Sequence, residues 1–423
     1  MIQEMPEVLV CTGPGTPLGN VMRRYWVPAL LACEIPEPDC PPVRVRILNE
    51  KMLAFRDSLG RAGLIDEFCA HRATTLFLGR NEEGGMRCSY HGWKYDITGQ
   101  CVELPGAPQI APKIRIKAYP CVERGGIVWA YMGPPDKRPD PPALEWCVVP
   151  DSHRFVSKRL QECNYLQALE GGIDTGHVSW VHRWEMDIDP MHDRGKAIQY
   201  IKGDGAVKFE IEEAPSGLTI LGRRNGESDS YYWRITQWIF PWFTLIPPFG
   251  NHAVGAHIWV PIDDENCWAW NINFLPDRPL PEDERQAMEE GKGIHVKYIP
   301  GTFRPLANKE NDYLIDRKAQ QERRSFSGVE GFSMQDASLQ EGMGPIQDRS
   351  REHLVATDKA IVMTRRMLFE ATRAMAEGRE PPALAGATQR VRSASVLLDR
   401  SADAVAWARD HLADGLNEPL FTL

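Results

Sequence analysis

Apolar and polar positions alternate through residues 43–59 on either side of Asn49-Glu50, which predicts two strands joined by a tight turn. Short strands of the same kind fit 114–119 and 126–132, so the chain up to about residue 133 reads as a small β domain. Five prolines between 134 and 142 then break any regular element and place a boundary there. Beyond it the period changes. Leu166, Leu169, Ile173 and Val178 recur at helical spacing within 161–183, interrupted by Gly171-Gly172, which would loosen or kink a helix. Residues 206–274 return to a strand pattern, with 256–260 and 267–274 flanking a hairpin loop at 261–266. Leu354, Ile361, Leu368, Ala371 and Met375 predict one long helix over 350–377, stopped by Gly378. The fold class that follows is α+β: an N-terminal all-β domain, then an antiparallel sheet with helices.

Composition narrows the function classes. A chain of 423 residues has room for two or three domains, and 43% hydrophobic residues suit an ordinary globular core. A net charge of −9, from 49 basic and 58 acidic residues, disfavours a phosphate-tracking surface, so no nucleic-acid partner is expected. The most apolar stretch, 238–248, is proline-broken and well short of the ~20 residues a membrane helix needs. The acidic N-terminus lacks the pattern of a secretory leader, so the expectation is a cytoplasmic protein without a membrane partner. Ten cysteines are too sparse here for a disulfide scaffold, and closely spaced ones read better as metal ligands. Gly13 to Gly19 is proline-broken and lacks the strand-turn-helix context of a dinucleotide fingerprint.

The sharpest chemistry lies in Cys69-Ala-His71 and, sixteen residues on, Cys88-Ser-Tyr-His91. Structural zinc sites also use two Cys and two His, but usually as a Cys pair followed by a His pair. One of each per arm suits a two-iron cluster in which one iron takes both thiolates and the other both imidazoles. With its flanks, Phe68 to Arg72 and Cys88 to Asp96, the motif resembles the Rieske [2Fe–2S] motif of bacterial aromatic-ring oxygenases. Gly84-Gly85 and Gly92 look like turn positions that let two ligand loops approach the irons.

Asp174, His177 and His182 form a second constellation. Asp174 and His177 are one helical turn apart, whereas His182 lies about 140° from His177 on an ideal helix, so the two histidines reach one metal only if the helix distorts or ends between them. Following a Rieske motif, Asp-x-x-His-x-x-x-x-His resembles the mononuclear iron motif of Rieske non-heme iron oxygenases. Asn164 to Asp174, Tyr232 to Gln237 and the 350–377 region resemble the phthalate 4,5-dioxygenase branch.

That resemblance implies a Rieske domain over 43–142, a helix-grip catalytic domain over 143–423 and an N-terminal segment, 1–42, packing on the catalytic domain. It implies a third iron ligand near the start of the C-terminal helical region, where Asp336 is chosen over Glu341, Asp348 and Asp312. It gives Asp174 the role of a hydrogen-bonded bridge between a Rieske histidine of one subunit and an iron-ligating histidine of the next. A homotrimer or stacked trimers follow, as does a separate NAD(P)H-dependent reductase carrying flavin and an iron–sulfur cluster. Asn164 is a candidate for approaching the iron, with helix capping as the alternative.

For the substrate, Tyr232, Arg234, Thr236, Trp238 and Phe240 would share one strand face, an apolar wall with one cation that suits a flat aromatic acid. Arg234 and Trp238 are therefore candidate substrate contacts; the competing reading is a packed core strand with Arg234 in a structural ion pair. The phthalate-specific positions of that branch do not stand out in Lys202 to Phe209, where a second cationic substrate contact would be sought, and this departure sets phthalate itself apart from the expectation. The expected activity is the terminal oxygenase step, with O₂, on an aromatic, carboxylated substrate, phthalate-like or lignin-derived. The alternatives are an O-demethylating monooxygenase and, in a different class, a Rieske electron carrier without oxygenase chemistry.

Overall fold

A computed structural model of the chain describes residues 5–193, 195–413 and 419–423. The chain divides into two compact units, one spanning Thr12–Pro142 and the other combining residues up to Cys11 with Ala143–Leu423.

The smaller unit is built from short antiparallel strands: β1 (Trp26–Leu31), β2 (Val43–Ile47), β3 (Glu50–Arg56), β4 (Ala62–Asp66), β5 (Arg80–Glu82), β6 (Gly85–Arg87), β7 (Lys94–Tyr95), β8 (Cys101–Glu103), β9 (Ala118–Tyr119), β10 (Cys121–Arg124) and β11 (Ile127–Tyr131). They form three sheets, β1-β11-β10, β2-β3-β4-β9 and β5-β6-β7-β8. The alternation around Asn49 resolves as expected: Ile47 pairs with Glu50, and Leu48 and Asn49 between them have φ of 47° and 65°, as a two-residue turn of the primed kind requires. The span 114–119 yields only β9. The N-terminal segment differs from expectation, because β1 pairs with β11 and carries 12–42 into the smaller unit, leaving only residues up to Cys11 with the larger.

The larger unit adds β12 (Arg154–Gln161), β13 (Lys208–Ala214), β14 (Gly217–Asn225), β15 (Ser230–Ile239), β16 (Phe243–Ile246), β17 (Val254–Pro261), β18 (Cys267–Phe274) and β19 (Ala394–Asp399). They form one antiparallel sheet in the order β12-β18-β17-β16-β15-β14-β13. β15 shares one edge between two partners, β19 along Ser230–Ile235 and β16 along Gln237–Ile239.

The 161–183 span is not one helix. Strand β12 runs through Gln161, and the helix occupies only Tyr165–Ile173. Asn164 caps it, its side chain accepting from Leu166 N, and Asp174 ends it. The glycine pair does not kink this helix. A Cβ on Gly172 would lie 2.1 Å from Trp259 Cη2, and one on Gly171 2.1 Å from Gln340 Nε2, so the missing side chains let the helix pack against its neighbours. The C-terminal helix begins at Lys359 rather than 350, because 349–358 folds into two separate 3₁₀ turns, the first capped by Asp348. Among the described residues, no helix is long and apolar enough to cross a membrane.

Candidate metal centres and active site

Two similar loops hold the first donor set. After β4, Cys69 N donates to Thr74 O and Ala73 N returns to Cys69 O; after β6, Cys88 N donates to Trp93 O and Gly92 N returns to Cys88 O. In each loop the residue four after the cysteine closes the turn at positive φ, Ala73 at 54° and Gly92 at 75°. The thiols and imidazoles are sorted by depth. Cys69 and Cys88 belong to a buried cluster with Leu53, Phe55, Ile65, Met86 and Tyr95, whereas His71 and His91 are exposed. Burial pushes the Cys69 thiol up, Tyr95 and the His71 backbone oppose this, and the neighbouring Cys88 adds to it. His71 and His91 bring their Nδ1 atoms to 3.1 Å, the ring of His71 stacked on Trp93. Two imidazole nitrogens that share a metal at ~2.1 Å each lie about this far apart. Free thiols beneath and converging imidazoles above fit a two-iron cluster with mixed ligation.

In the larger unit the peptide past Asp174 gives up α-helical geometry. His177–Ser179 is a 3₁₀ turn, and this break brings two histidines five residues apart to one point. His177 Nε2 and His182 Nε2 lie 3.5 and 3.2 Å from Asp336 Oδ1. One donor atom from each of the three falls within 4.8 Å of the others, the arrangement of a two-histidine, one-carboxylate site with open positions. Burial would raise the Asp336 carboxyl, but the two histidines hold it down to about 2. Burial likewise opposes protonation of His177, yet Asp336 and Asp174 raise it to about 9. The three side chains thus favour positive charge at the centre of the pocket, the kind of charge a divalent ion supplies.

Asp336 comes from the Phe332–Glu341 helix. The other carboxylates considered from sequence are engaged elsewhere: Glu341 accepts from Glu162 N and Tyr313 Oη, Asp348 caps a turn, and Asp312 lies in a kinked 3₁₀ segment. Asp174 accepts from Gly176 N and lies 3.7 Å from His177 Nδ1, its side chain 29% exposed.

The cluster opens into a cleft of about 790 Å³, mouth included, lined among others by Arg159, Arg234, Thr236, Phe249, His257 and Trp259. Arg234 reaches it as expected and has no ion-pair partner among the described residues. Its Nη1 donates to Pro247 O at 3.4 Å and its guanidinium faces the Phe249 ring at 4.9 Å, so the structural ion pair is excluded. Trp238 shares the strand face but is fully buried beside Phe240 and does not line the cleft. Asn164 is also absent from the lining. Beyond capping its helix it donates to Val10 O and Asp264 O, so its amide is spent on structure.

Three contributions escaped the sequence reading. His182 Nδ1–H donates to Gln335 Oε1 at 2.6 Å, and Gln335 Nε2 donates to Val329 O and Glu185. His257 Nδ1–H donates to Asn271 Oδ1 at 2.9 Å; burial pushes this imidazole down to about 4, leaving it neutral with Nε2 as an acceptor. Arg159 is the third. A donor residue next to Asp336 was visible in sequence at Gln335, but nothing in a strand marks His257 or Arg159.

Comparison with known proteins agrees with this geometry. A Rieske [2Fe-2S] domain family matches residues 25–120, and a LigXa C-terminal domain-like family matches 130–405. The chain is 36% identical to the 3-chlorobenzoate-3,4-dioxygenase oxygenase subunit of Comamonas testosteroni, over 94% of this chain and 95% of that one. It is 38% identical to the phthalate 4,5-dioxygenase oxygenase subunit of Pseudomonas putida, over 89% and 88%. Among solved structures, dicamba monooxygenase bound to dicamba has the same fold at a TM-score of 0.57 and 19% identity, covering 84% of this chain and 98% of that one. The relatives are oxygenase subunits, which removes the reading as a simple electron carrier. With a [2Fe–2S] domain followed by a mononuclear iron domain, the chain belongs to the Rieske non-heme iron aromatic-ring oxygenases, as an oxygenase (α) component of the phthalate 4,5-dioxygenase-like branch.

Proposed function

We propose that this oxygenase component oxidises an aromatic acid whose carboxylate is bound by Arg234. The observation that carries this reading is a buried guanidinium without a carboxylate partner among the described residues, lining the same cleft as His177, His182 and Asp336. A guanidinium pairs with a carboxylate through two parallel hydrogen bonds, and Phe249 and Trp259 offer the flat apolar walls an aromatic ring needs. Relatives named for phthalate, 3-chlorobenzoate and phenoxybenzoate support the same class.

In this reading Cys69, Cys88, His71 and His91 hold the cluster, and His177, His182 and Asp336 hold the iron. When bound, the two centres supply one-electron transfer and O₂ activation. The protein's own part is positional: Arg234 fixes the acid group, the apolar walls exclude water, and Gln335 keeps the His182 proton on Nδ1 so that Nε2 is free to ligate. Asp174 bridges the centres of neighbouring subunits in a homotrimer or stacked trimers. Its partial exposure supports this role, as do the groove it opens on, lined by Leu339, Met343 and Leu354, and the exposed Tyr90 and Leu78 near His91. A separate reductase supplies electrons, in keeping with relatives named as subunits, and the protein works in the cytoplasm. Ring cis-dihydroxylation and oxidative O-demethylation use the same ligands and differ in which substrate carbon faces the iron; the 30% identical 5,5'-dehydrodivanillate O-demethylase oxygenase subunit keeps the second reaction in view.

Anaerobic purification tests the reading. A red-brown protein with a Rieske-type reduced EPR signal and about three irons per chain is expected, turning over an aromatic acid when supplied with reductase. His177→Ala should keep the EPR signal and lose product. Turnover confined to uncharged aromatics would overturn the aromatic-acid reading.

A further inference from the structure

Most buried arginines in this fold outside the cleft are paired with carboxylates. Arg23 pairs with Glu50, Arg349 and Arg365 share Glu170 and Glu352, and Arg392 pairs with Glu145. Arg224 has no carboxylate at ion-pair distance among the described residues but donates to Asp204 O, Thr175 O and Ser179 Oγ, leaving only Nη1 without an acceptor. Arg159 differs. It is 3% exposed, its one hydrogen bond runs from Nη2 to Ser333 O at 3.4 Å, and its Nε and Nη1 are buried without an acceptor. No carboxylate among the described residues forms an ion pair with it. A buried guanidinium in that state is strongly disfavoured unless a ligand completes it.

The lining places that ligand. Arg159 stands on β12 opposite Ala269 of β18, which stands opposite Trp259 of β17, so the smallest side chain of the row separates the cation from the indole. Arg159 and Trp259 line the same cleft as Arg234 and the iron ligands. Strands β12 and β15, which carry the two arginines, are four places apart in the sheet, ~19 Å at the usual strand spacing. The two guanidiniums therefore enter from opposite flanks, with His257 and Trp259 on the strand between.

We propose that Arg159 is a second oxyanion-binding residue of the cleft, and that the substrate carries two acid groups held apart across its aromatic framework, one on Arg234 and one on Arg159. The inference rests on the aromatic-acid reading above and adds the number and spacing of the charges. It favours 1,3- or 1,4-related acid groups over adjacent ones.

The test is calorimetric binding of benzoate and of benzene-1,2-, 1,3- and 1,4-dicarboxylate to the anaerobic, iron-loaded protein. The wild type should bind the 1,3- or 1,4-diacid about tenfold or more tighter than benzoate. Arg159→Gln should erase that preference and leave benzoate within about twofold; Arg159→Lys, which keeps the charge but not the fork, should restore part of it. Arg234→Gln should weaken all four acids. Thermal midpoint and cluster absorbance report folding of each variant, and if Arg159→Gln fails to fold, a diacid preference in Arg159→Lys that is smaller than wild type, with benzoate binding kept, carries the test, and an unchanged preference overturns the proposal. Benzoate binding without a diacid preference, or a preference for the 1,2-diacid, overturns this proposal alone. An equal loss of benzoate and diacid in Arg159→Gln makes the residue structural and also overturns it. Failure of the wild type to bind any acid overturns the aromatic-acid reading with it.

Discussion

Replacing Gln335 with leucine isolates what holds the iron-binding face of His182 in place. Gln335 is fully buried, and its amide joins three elements: it accepts from His182 Nδ1–H at 2.6 Å and donates to Val329 O at 3.0 Å and to the Glu185 carboxylate. Leucine fills a similar volume and removes all three bonds. The His182 N–H and the Val329 carbonyl are then stranded, at roughly 1–3 kcal/mol each if neither finds water. Glu185, whose carboxyl burial already pushes up, loses a donor and rises further, keeping its hydrogen bond from Gly331 N at 2.8 Å. The metal feels the first loss most, because without its acceptor His182 is free to change tautomer and place the N–H where the ligand lone pair belongs. Lost outer partners of ligating histidines typically weaken metal affinity 10–100-fold, about 1.4–2.7 kcal/mol. The assay is iron affinity by chelator competition on anaerobic protein, read beside the Rieske EPR signal, which lies in the other unit's ligands and should not change. Gln335→Glu keeps an acceptor for His182 and should hold iron more tightly than Gln335→Leu. Wild-type iron affinity in Gln335→Leu would refute the reasoning and assign the orientation of His182 to its packing on Phe332, whose ring lies 4.7 Å away.

Two further outcomes follow from the packing and charge of each unit. Gly172→Ala should gain at most ~1 kcal/mol in helix propensity but place a Cβ 2.1 Å from the Trp259 ring, an overpacking that costs about 1–3 kcal/mol; a lower melting temperature with weakened aromatic-acid binding is expected, and a stabilised variant would show that the indole moves freely. Glu50 is held below the usual carboxylate range of 4.5 because hydrogen bonds from Lys117, Arg23 and Tyr119 outweigh its burial. A depressed folded-state pKa gives stability that is complete above the unfolded value and lost as pH falls through the folded one. The Thr12–Pro142 unit should thus weaken below about pH 4.5, while Glu50→Gln should be less stable at pH 7 and lose less on acidification; parallel acid-unfolding curves for the two proteins would contradict this.

What was legible in the sequence was whatever chemistry is written locally. The Cys-x-His and Cys-x-x-His arms, and the two histidines after Asp174, sit within a few residues of one another, and their spacing showed that a regular helix could not bring His177 and His182 to one metal; the helix in fact ends at Ile173, before both, and a 3₁₀ turn carries His177. Asp336 lies 154 positions beyond His182 and was reachable only through family resemblance. Strand alternation put Arg234 and Trp238 on one face, yet a face is longer than the cleft it lines: Trp238 is fully buried beside Phe240, outside the lining, while Arg234 meets the cavity. Asn164 failed for the opposite reason, since a capping residue and an active-site amide have the same sequence signature and only the partners Leu166 N, Val10 O and Asp264 O tell them apart.

Arg159 marks the deeper limit. Its surroundings, Ser-Lys-Arg-Leu-Gln, carry no motif, and β12 lies at the edge of the sheet. Its meaning comes from what does not reach it. Whether a guanidinium is paired depends on where the carboxylates of the fold go, and none among the described residues comes within ion-pair distance of Arg159. A cation left without a counter-charge in a pocket built around a divalent ion adds to that pocket's positive charge, so the cleft as a whole is most stable with an anionic guest. Charge thus selects the guest before shape does, and the two unpaired arginines, carried on strands at opposite flanks of one cleft, set both how much negative charge it carries and where.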